Sequence, residues 1–228
     1  MHKETYSIWS NHLKKEMEIA SYGHYGLAIL LFPSLTDNYL ENETNGLIDA
    51  FLPFVKKGKC KVFSIGGVMQ ESWLNPSISS EDKSNLHFDY NNFIVEEILP
   101  FIFNECNGPI PTLTCGAANG AYYAANNYFR RPDLFHGTIA MSGTYNIQHY
   151  SDGFYNDNCY FNSPVHYLPN LTDNYWLSFL MSKHHVYLMS GQNEGEFPEN
   201  SINLQSRFFF LRDCFECRRK FHRDRLCK

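Results

Sequence analysis

A junction between a strand pattern and a helix pattern, at Leu113–Tyr123, carries the spacing with the clearest chemical meaning: Gly116 and Gly120 flank Ala118. In a G-x-S-x-G turn the glycines remove side chains where the backbone bends sharply, the central serine is a nucleophile, and the next N–H binds an oxyanion. Ala118 holds the central position but has no hydroxyl to activate. The spacing therefore predicts this turn without its nucleophile, or a junction kept small for packing alone.

Four candidate zinc ligands near the C-terminus form the pattern C-x2-C-x4-H-x4-C: Cys214, Cys217, His222 and Cys227. This spacing is similar to that of zinc knuckles, where three thiolates and an imidazole surround Zn²⁺ and an aromatic side chain, here Phe215, stacks on a base. The glycine positions of the knuckle hold Arg218 and Phe221, which disfavours its tight turns. The competing hypothesis is an unrelated tail sequence, for example after a reading-frame shift.

The charge distribution separates this tail from the rest of the chain. Residues 207–228 contain eight basic residues against three acidic ones, whereas the whole chain has a net charge of −5. We therefore predict a domain over residues 1–206 and a basic tail over residues 207–228. The acidic domain does not favour non-specific binding to nucleic acid.

Composition limits the class of protein. The 228 residues are 43% apolar and 19% charged, which excludes a disordered chain and a disulfide-stapled miniprotein and favours one globular domain. The longest strongly apolar run, Leu27–Phe32, is too short to span a membrane. Seven cysteines, most of them widely spaced, favour reduced thiols and a cytoplasmic location.

Short apolar runs alternate with segments of helical period, a pattern typical of an α/β fold with a mainly parallel sheet covered on both faces. The predicted strands are Glu16–Tyr22, Leu27–Phe32, Lys61–Ile65, Pro111–Cys115, Thr138–Ser142 and Val186–Ser190. The predicted helices are Asn45–Lys57, Phe88–Asn104, Asn119–Phe129 and Asp173–Lys183. Residues Thr144–Leu171 have no sustained period, which indicates either a functional cap or irregular packing surface.

Several segments in the same order resemble the esterase D-like branch of the α/β-hydrolase superfamily. They are KKEMEIASYGHYG, LLFPS, ESWLNPS, FIVEEILPFI, GAANGAYYAAN, RRPDLFHGTIAMSGTYN and DNCYFNSPVHYLPNL, between about His12 and Asn200. The resemblance implies an α/β-hydrolase fold and a Ser-Asp/Glu-His mechanism on carboxylic esters, with no metal and no cofactor.

The family's site residues transfer only in part. The resemblance puts Ala118 at the nucleophile position, between the elbow glycines Gly116 and Gly120. It implies oxyanion donors at the backbone N–H of Asn119 and in the loop Ser34–Thr36, which contains Leu35. The acid would follow the strand Val186–Ser190, at Glu194 or Glu196, although a solvated loop carboxylate is the alternative for each.

The family's histidine has no clear counterpart. Beyond Glu196 the sequence contains only His222, within the atypical tail, so we expect the sheet to be incomplete at its C-terminal edge. Chain order disfavours the upstream histidines as the base: His149, His166, His184 and His185. Cys115 lies inside a strand and Ser142 lacks flanking glycines, so neither is expected to replace the serine.

Three functions remain open from the sequence. The first is an esterase-like domain without catalytic activity. Such a domain is either a degenerate copy or a protein that still binds a small ester or acyl ligand. The second is an enzyme whose serine was changed deliberately, which the atypical tail argues against. The third is a zinc- or nucleic-acid-binding protein acting through the tail. No membrane partner is expected, and assembly into a homo-oligomer is left open.

Overall fold

Strands and helices alternate along the chain, and the strands form one sheet. The computed structural model describes residues 2–182, 185–191, 197–209 and 211. Its strands are β1 (Lys3–Ser10), β2 (Lys15–Tyr22), β3 (Leu27–Leu31), β4 (Cys60–Ile65), β5 (Thr112–Ala117), β6 (Gly137–Met141) and β7 (Val186–Met189). Within these residues the order across the sheet is β1-β2-β4-β3-β5-β6-β7.

The helices lie in the connections between these strands. They are α1 (Glu41–Thr44), α2 (Leu47–Val55), α3 (Ser80–Phe93), α4 (Leu99–Glu105), α5 (Asn119–Arg130), α6 (Asp157–Phe161), α7 (Pro164–Tyr167) and α8 (Asn174–Ser182). Residues 198–209 are also helical. None of the described helices is long and apolar enough to cross a membrane.

The direction of the strands explains where a site can form. β1, β2 and β4 pair antiparallel, whereas β4, β3, β5, β6 and β7 run parallel. The chain passes from β3 to β4 on one side of β3 and then returns to form β5 on the other side of β3. Ligands in open α/β sheets bind outside the carboxyl ends of the strands where the order reverses, which here is between β3 and β5.

The predicted α/β fold with a mainly parallel sheet is confirmed, and each predicted strand is present within about two residues of its expected ends. β1 was not among the predicted strands; it is an edge strand with charged and largely exposed residues, and it pairs with β2 along its whole length. The first two turns of α3 were also not predicted; this helix begins after Ser79, whose hydroxyl caps the N–H of Asp82. A π-helix at Ile94–Ile98 then joins α3 to α4.

Apolar residues pack on both faces of the sheet, as predicted. One cluster joins the sheet to α3, α4 and α5, and the other joins it to α2 through Ile48 and Val55. The segment Thr144–Leu171 contributes Cys159 and Leu168, both fully buried, to the larger cluster. This segment therefore packs as part of the core and contains α6, α7 and two short 3-10 helices.

In the described part of the chain, β7 pairs with β6 alone. The prediction of an incomplete sheet edge concerns residues 212–228, which lie outside the described residues.

A buried histidine lies among the aromatic residues of the larger core. His87 on α3 is fully buried, stacks on the Tyr123 ring at 5.4 Å and 11°, and has Nε2 3.1 Å from the Tyr122 hydroxyl. Burial, reinforced by the positive charge of Arg130, lowers the pKa of His87 from 6.5 to about 3. His87 is therefore neutral in the folded protein at every pH at which the protein is ordinarily handled.

This buried histidine makes the stability of the fold depend on pH. Below pH 6.5 an unfolded chain binds a proton at His87 that the folded chain binds only near pH 3. The free energy of unfolding therefore decreases as the pH is lowered. The slope from this group approaches about 1.4 kcal/mol per pH unit. His87→Phe and His87→Gln should both remove this slope between pH 6.5 and 5, measured by urea unfolding.

The two variants separate titration from packing. Phenylalanine keeps the ring stacking and glutamine does not, so their absolute stabilities should differ while their slopes agree. An unchanged slope in both variants would contradict a buried neutral His87.

Candidate active site

The backbone at Ala118 has an unusual conformation. Ala118 lies between β5 and α5 with φ 50° and ψ −117°. A positive φ is uncommon for a residue with a Cβ, and such strain is retained when the surrounding structure requires it. The predicted sharp turn is therefore present at the carboxyl end of β5.

Close backbone contacts explain the two glycines of this turn. A Cβ on Gly116 would lie 2.3 Å from the carbonyl carbon of Gly120, and one on Gly120 would lie 2.7 Å from the carbonyl oxygen of Phe32. Real Cβ atoms do not approach other atoms so closely, so only glycine fits either position. The contact with Phe32 also brings the start of α5 against the end of β3.

Hydrogen bonds fix the tip of the turn. The Ala118 N–H donates to the carbonyl oxygen of Met141 at 2.9 Å, which attaches the tip to β6. The Ala118 carbonyl accepts from the N–H groups of Ala121 and Tyr122, at 3.1 and 3.2 Å. The Ala118 side chain is partly exposed. A methyl group is thus held at the position that the sequence analysis assigned to a nucleophile.

Asn119, one predicted oxyanion donor, is the first residue of α5. The N–H of a first helical residue has no carbonyl acceptor within the helix. The positive end of the helix dipole lies at the same place and favours negative charge there. Negative charge is therefore favoured electrostatically beside Asn119, at this end of α5.

The other predicted donor, Leu35, is engaged by an internal carboxylate. The Leu35 N–H donates to both carboxylate oxygens of Glu41, at 2.8 and 3.1 Å. The N–H groups of Ser34 and Thr36 donate to the same carboxylate at 3.2 and 2.9 Å, and their hydroxyls at 2.6 and 3.0 Å. In this structure an anion supplied by α1 thus fills the loop Ser34–Thr36.

The protonation of Glu41 follows from these contacts. Burial by itself raises the pKa of the carboxyl group, but hydrogen bonds from Ser34, Thr36 and Leu35 outweigh it, so the pKa lies below 4.5. Glu41 is therefore an anion at neutral pH. Sequence reasoning missed this residue because nothing in the segment Glu41-Asn42-Glu43 distinguishes one glutamate from the other.

Several of the predicted site residues cannot be placed in the structure. Glu194, Glu196 and His184 lie outside the described residues, as do Cys214, Cys217, His222 and Cys227. Within the part that the structure describes, no group of three His, Cys, Asp or Glu residues is arranged to hold a metal ion.

The other hydroxyl and thiol candidates have structural positions. Cys115 is fully buried in β5, where burial raises its pKa to about 12 and keeps the thiol protonated. The Ser142 N–H donates to Met189 at 2.8 Å and so connects β6 to β7. His166 lies 2.5 Å from the Tyr155 hydroxyl through Nδ1, and His149 is exposed.

We expect Glu41→Gln to destabilise the fold by about 2 kcal/mol at pH 7, because the amide cannot accept all the loop donors. A carboxyl group whose pKa is lowered on folding stabilises above its unfolded pKa, and this contribution is lost as pH falls. The difference between the two proteins, measured by urea unfolding, should therefore shrink below pH 4.5.

Glu43→Gln is the matched control, because the Glu43 carboxylate binds the side chains of Lys3 and Tyr22 at the surface. Its loss should stay below about 1 kcal/mol. Equal losses in the two variants would show that Glu41 does not organise the loop.

Comparison with known proteins agrees with this fold. No protein-family model and no curated protein sequence matches the chain. Among solved structures, a ferulic acid esterase is 16% identical with a TM-score of 0.67, covering 92% of this chain and 86% of that chain. An S-formylglutathione hydrolase from Agrobacterium tumefaciens is 12% identical with a TM-score of 0.64, covering 98% and 95%.

A third structure, MPT51 from Mycobacterium tuberculosis, is 16% identical with a TM-score of 0.63, covering 95% of this chain and 86% of that chain. Identities at this level carry information about the fold alone. Together with the parallel sheet and the sharp turn after β5, they show that the chain has the α/β-hydrolase fold.

Proposed function

We propose that this protein is an esterase-like α/β-hydrolase that binds a carboxylic ester or acyl ligand at the β5–α5 turn without cleaving it through a covalent intermediate. The observation that carries the proposal is the strained backbone of Ala118, with φ 50° and ψ −117°. In hydrolases of this fold the same turn presents a serine hydroxyl to the substrate. Alanine keeps the turn and lacks the hydroxyl.

The first chemical step depends on the missing group. A serine oxygen would form a bond to the ester carbonyl carbon, pass its proton to a base and displace the alcohol. The methyl group of Ala118 cannot form this bond. A ligand carbonyl can still be held, because the Asn119 N–H at the start of α5 is a backbone group that does not depend on the side chain at position 118.

Stabilisation of an oxyanion is also reduced. Asn119 offers its N–H and the helix dipole, whereas the Leu35 N–H is hydrogen bonded to Glu41. A second donor from this loop requires the Glu41 carboxylate to release it. We therefore propose that the site receives a neutral ester carbonyl through one main donor.

The chain provides candidates for only part of a Ser-Asp/Glu-His triad. Glu194 or Glu196 would supply the acid, and the sequence provides no histidine loop like that of the esterase D-like family. The names of two proteins with similar folds, a ferulic acid esterase and an S-formylglutathione hydrolase, support an ester or acyl ligand as the class.

We expect hydrolysis of p-nitrophenyl acetate at or near the uncatalysed rate. Ala118→Ser should raise that rate by less than about tenfold, because a serine without an aligned base is weakly nucleophilic. Release of p-nitrophenolate measures both, with circular dichroism to confirm folding. Ala117→Ser, one residue earlier within β5, is the matched control.

Turnover by the unchanged chain within tenfold of about 10 s⁻¹, a typical enzyme rate, would overturn the proposal. A gain of about 10³ in Ala118→Ser alone would instead contradict the expected absence of an aligned base, because that gain requires a working base. In that case the alanine would be the only catalytic lesion.

Binding without turnover needs its own test. We expect 4-nitroacetanilide, the amide analogue of p-nitrophenyl acetate, to bind in calorimetric titration. Ala118→Leu should weaken binding by about tenfold or more, because its larger side chain covers the partly exposed tip of the turn. Asn119→Ala keeps the backbone N–H and should bind normally; equal binding by all three proteins would place the ligand elsewhere.

A further inference from the structure

We propose that a pocket at the C-terminal end of α5 binds a small aromatic carboxylate through Arg130. This pocket has a volume of about 310 Å³, within the range of small-molecule sites. The inference does not rest on the proposed ester site. Ala118 precedes α5 and Arg130 ends it, so the two sites are about 18 Å apart along the helix.

The pocket combines one cation with aromatic walls. Arg130 lines it together with Phe129, Tyr160, Phe161, Tyr167 and Trp176. Tyr167 is buried and Phe161 is exposed, so the pocket has a closed side and an open mouth. Rings of this kind bind a flat aromatic ligand by stacking and edge-to-face contact.

Arg130 has no matching negative charge in the part of the chain that the structure describes. The one hydrogen bond that its side chain forms there joins Nη1 to the Oδ1 atom of Asn162 at 2.9 Å. The neighbouring Arg131, by contrast, forms two bonds to the carboxylate of Asp133, at 2.9 and 2.8 Å. Burial disfavours the charged guanidinium and lowers the pKa of Arg130.

Asn162 holds the guanidinium in place and leaves its other donors available. The Asn162 Oδ1 atom also accepts from the amides of Asn91 and Asn126, at 2.8 and 2.7 Å, and Asn162 is fully buried. A guanidinium has five N–H donors, of which this contact uses one. The remaining donors suit the two oxygens of a carboxylate.

The surroundings favour a single negative charge over a phosphate. Arg130 lies in the last turn of α5, where the negative end of the helix dipole opposes a dianion more strongly than a monoanion. Arg130 is the one cation among the residues that line the pocket. A monoanionic carboxylate on an aromatic ring satisfies both the charge and the walls.

Sodium benzoate and its neutral isostere benzamide test this site. Because Trp176 lines the pocket, we expect benzoate to change tryptophan fluorescence with saturation and to raise the melting temperature. Benzamide should bind about tenfold or more weakly, since it lacks the charge-assisted hydrogen bonds. Equal affinities for benzoate and benzamide in the unchanged protein would overturn the proposal.

Variants locate the binding. Arg130→Gln should reduce benzoate affinity to that of benzamide, whereas Arg131→Gln should leave it unchanged. If Arg130→Gln does not fold, Phe161→Ala at the exposed mouth should still weaken benzoate binding. Ala118→Leu blocks the proposed ester site and should not affect benzoate; loss of benzoate binding in that variant would assign it to the β5–α5 turn and refute this site.

Discussion

The contact between the start of α5 and the end of β3 is the constraint on which this structure depends. Gly120 has no Cβ because the carbonyl oxygen of Phe32 lies where one would be, and Gly116 has none because Gly120 lies against it. This close packing sets the path of the chain between β5 and α5. The strained conformation of Ala118 follows from it, so the turn persists although the residue at its tip has no catalytic group.

A second interaction, between Glu41 and the loop Ser34–Thr36, shapes the same end of the sheet. Three consecutive backbone N–H groups bind one carboxylate that the chain itself supplies. The charge replaces the anion that such a loop would otherwise attract. The Glu41 carboxylate therefore stabilises the loop and occupies its three backbone donors.

The polar groups around Asn162 give the segment Thr144–Leu171 its fixed place. One amide oxygen accepts from donors on α3 and α5, and the Asn162 carbonyl accepts from the Tyr122 hydroxyl at 2.8 Å. The hydrogen bonds of these buried groups favour one arrangement of the segment over others. The segment without helical period thus packs as part of the core, and the same network positions Arg130 beside a pocket.

The sequence by itself determined the alternation of strands and helices, the sharp turn at Gly116–Gly120 and the absence of a hydroxyl at Ala118, because periodicity, glycine spacing and residue type are local properties. It did not determine β1, whose exposed edge carries no apolar pattern, or the roles of Glu41 and Arg130. These depend on which groups meet across the fold. Glu41 differs from Glu43, and Arg130 from Arg131, only in the partner that the tertiary structure places beside each.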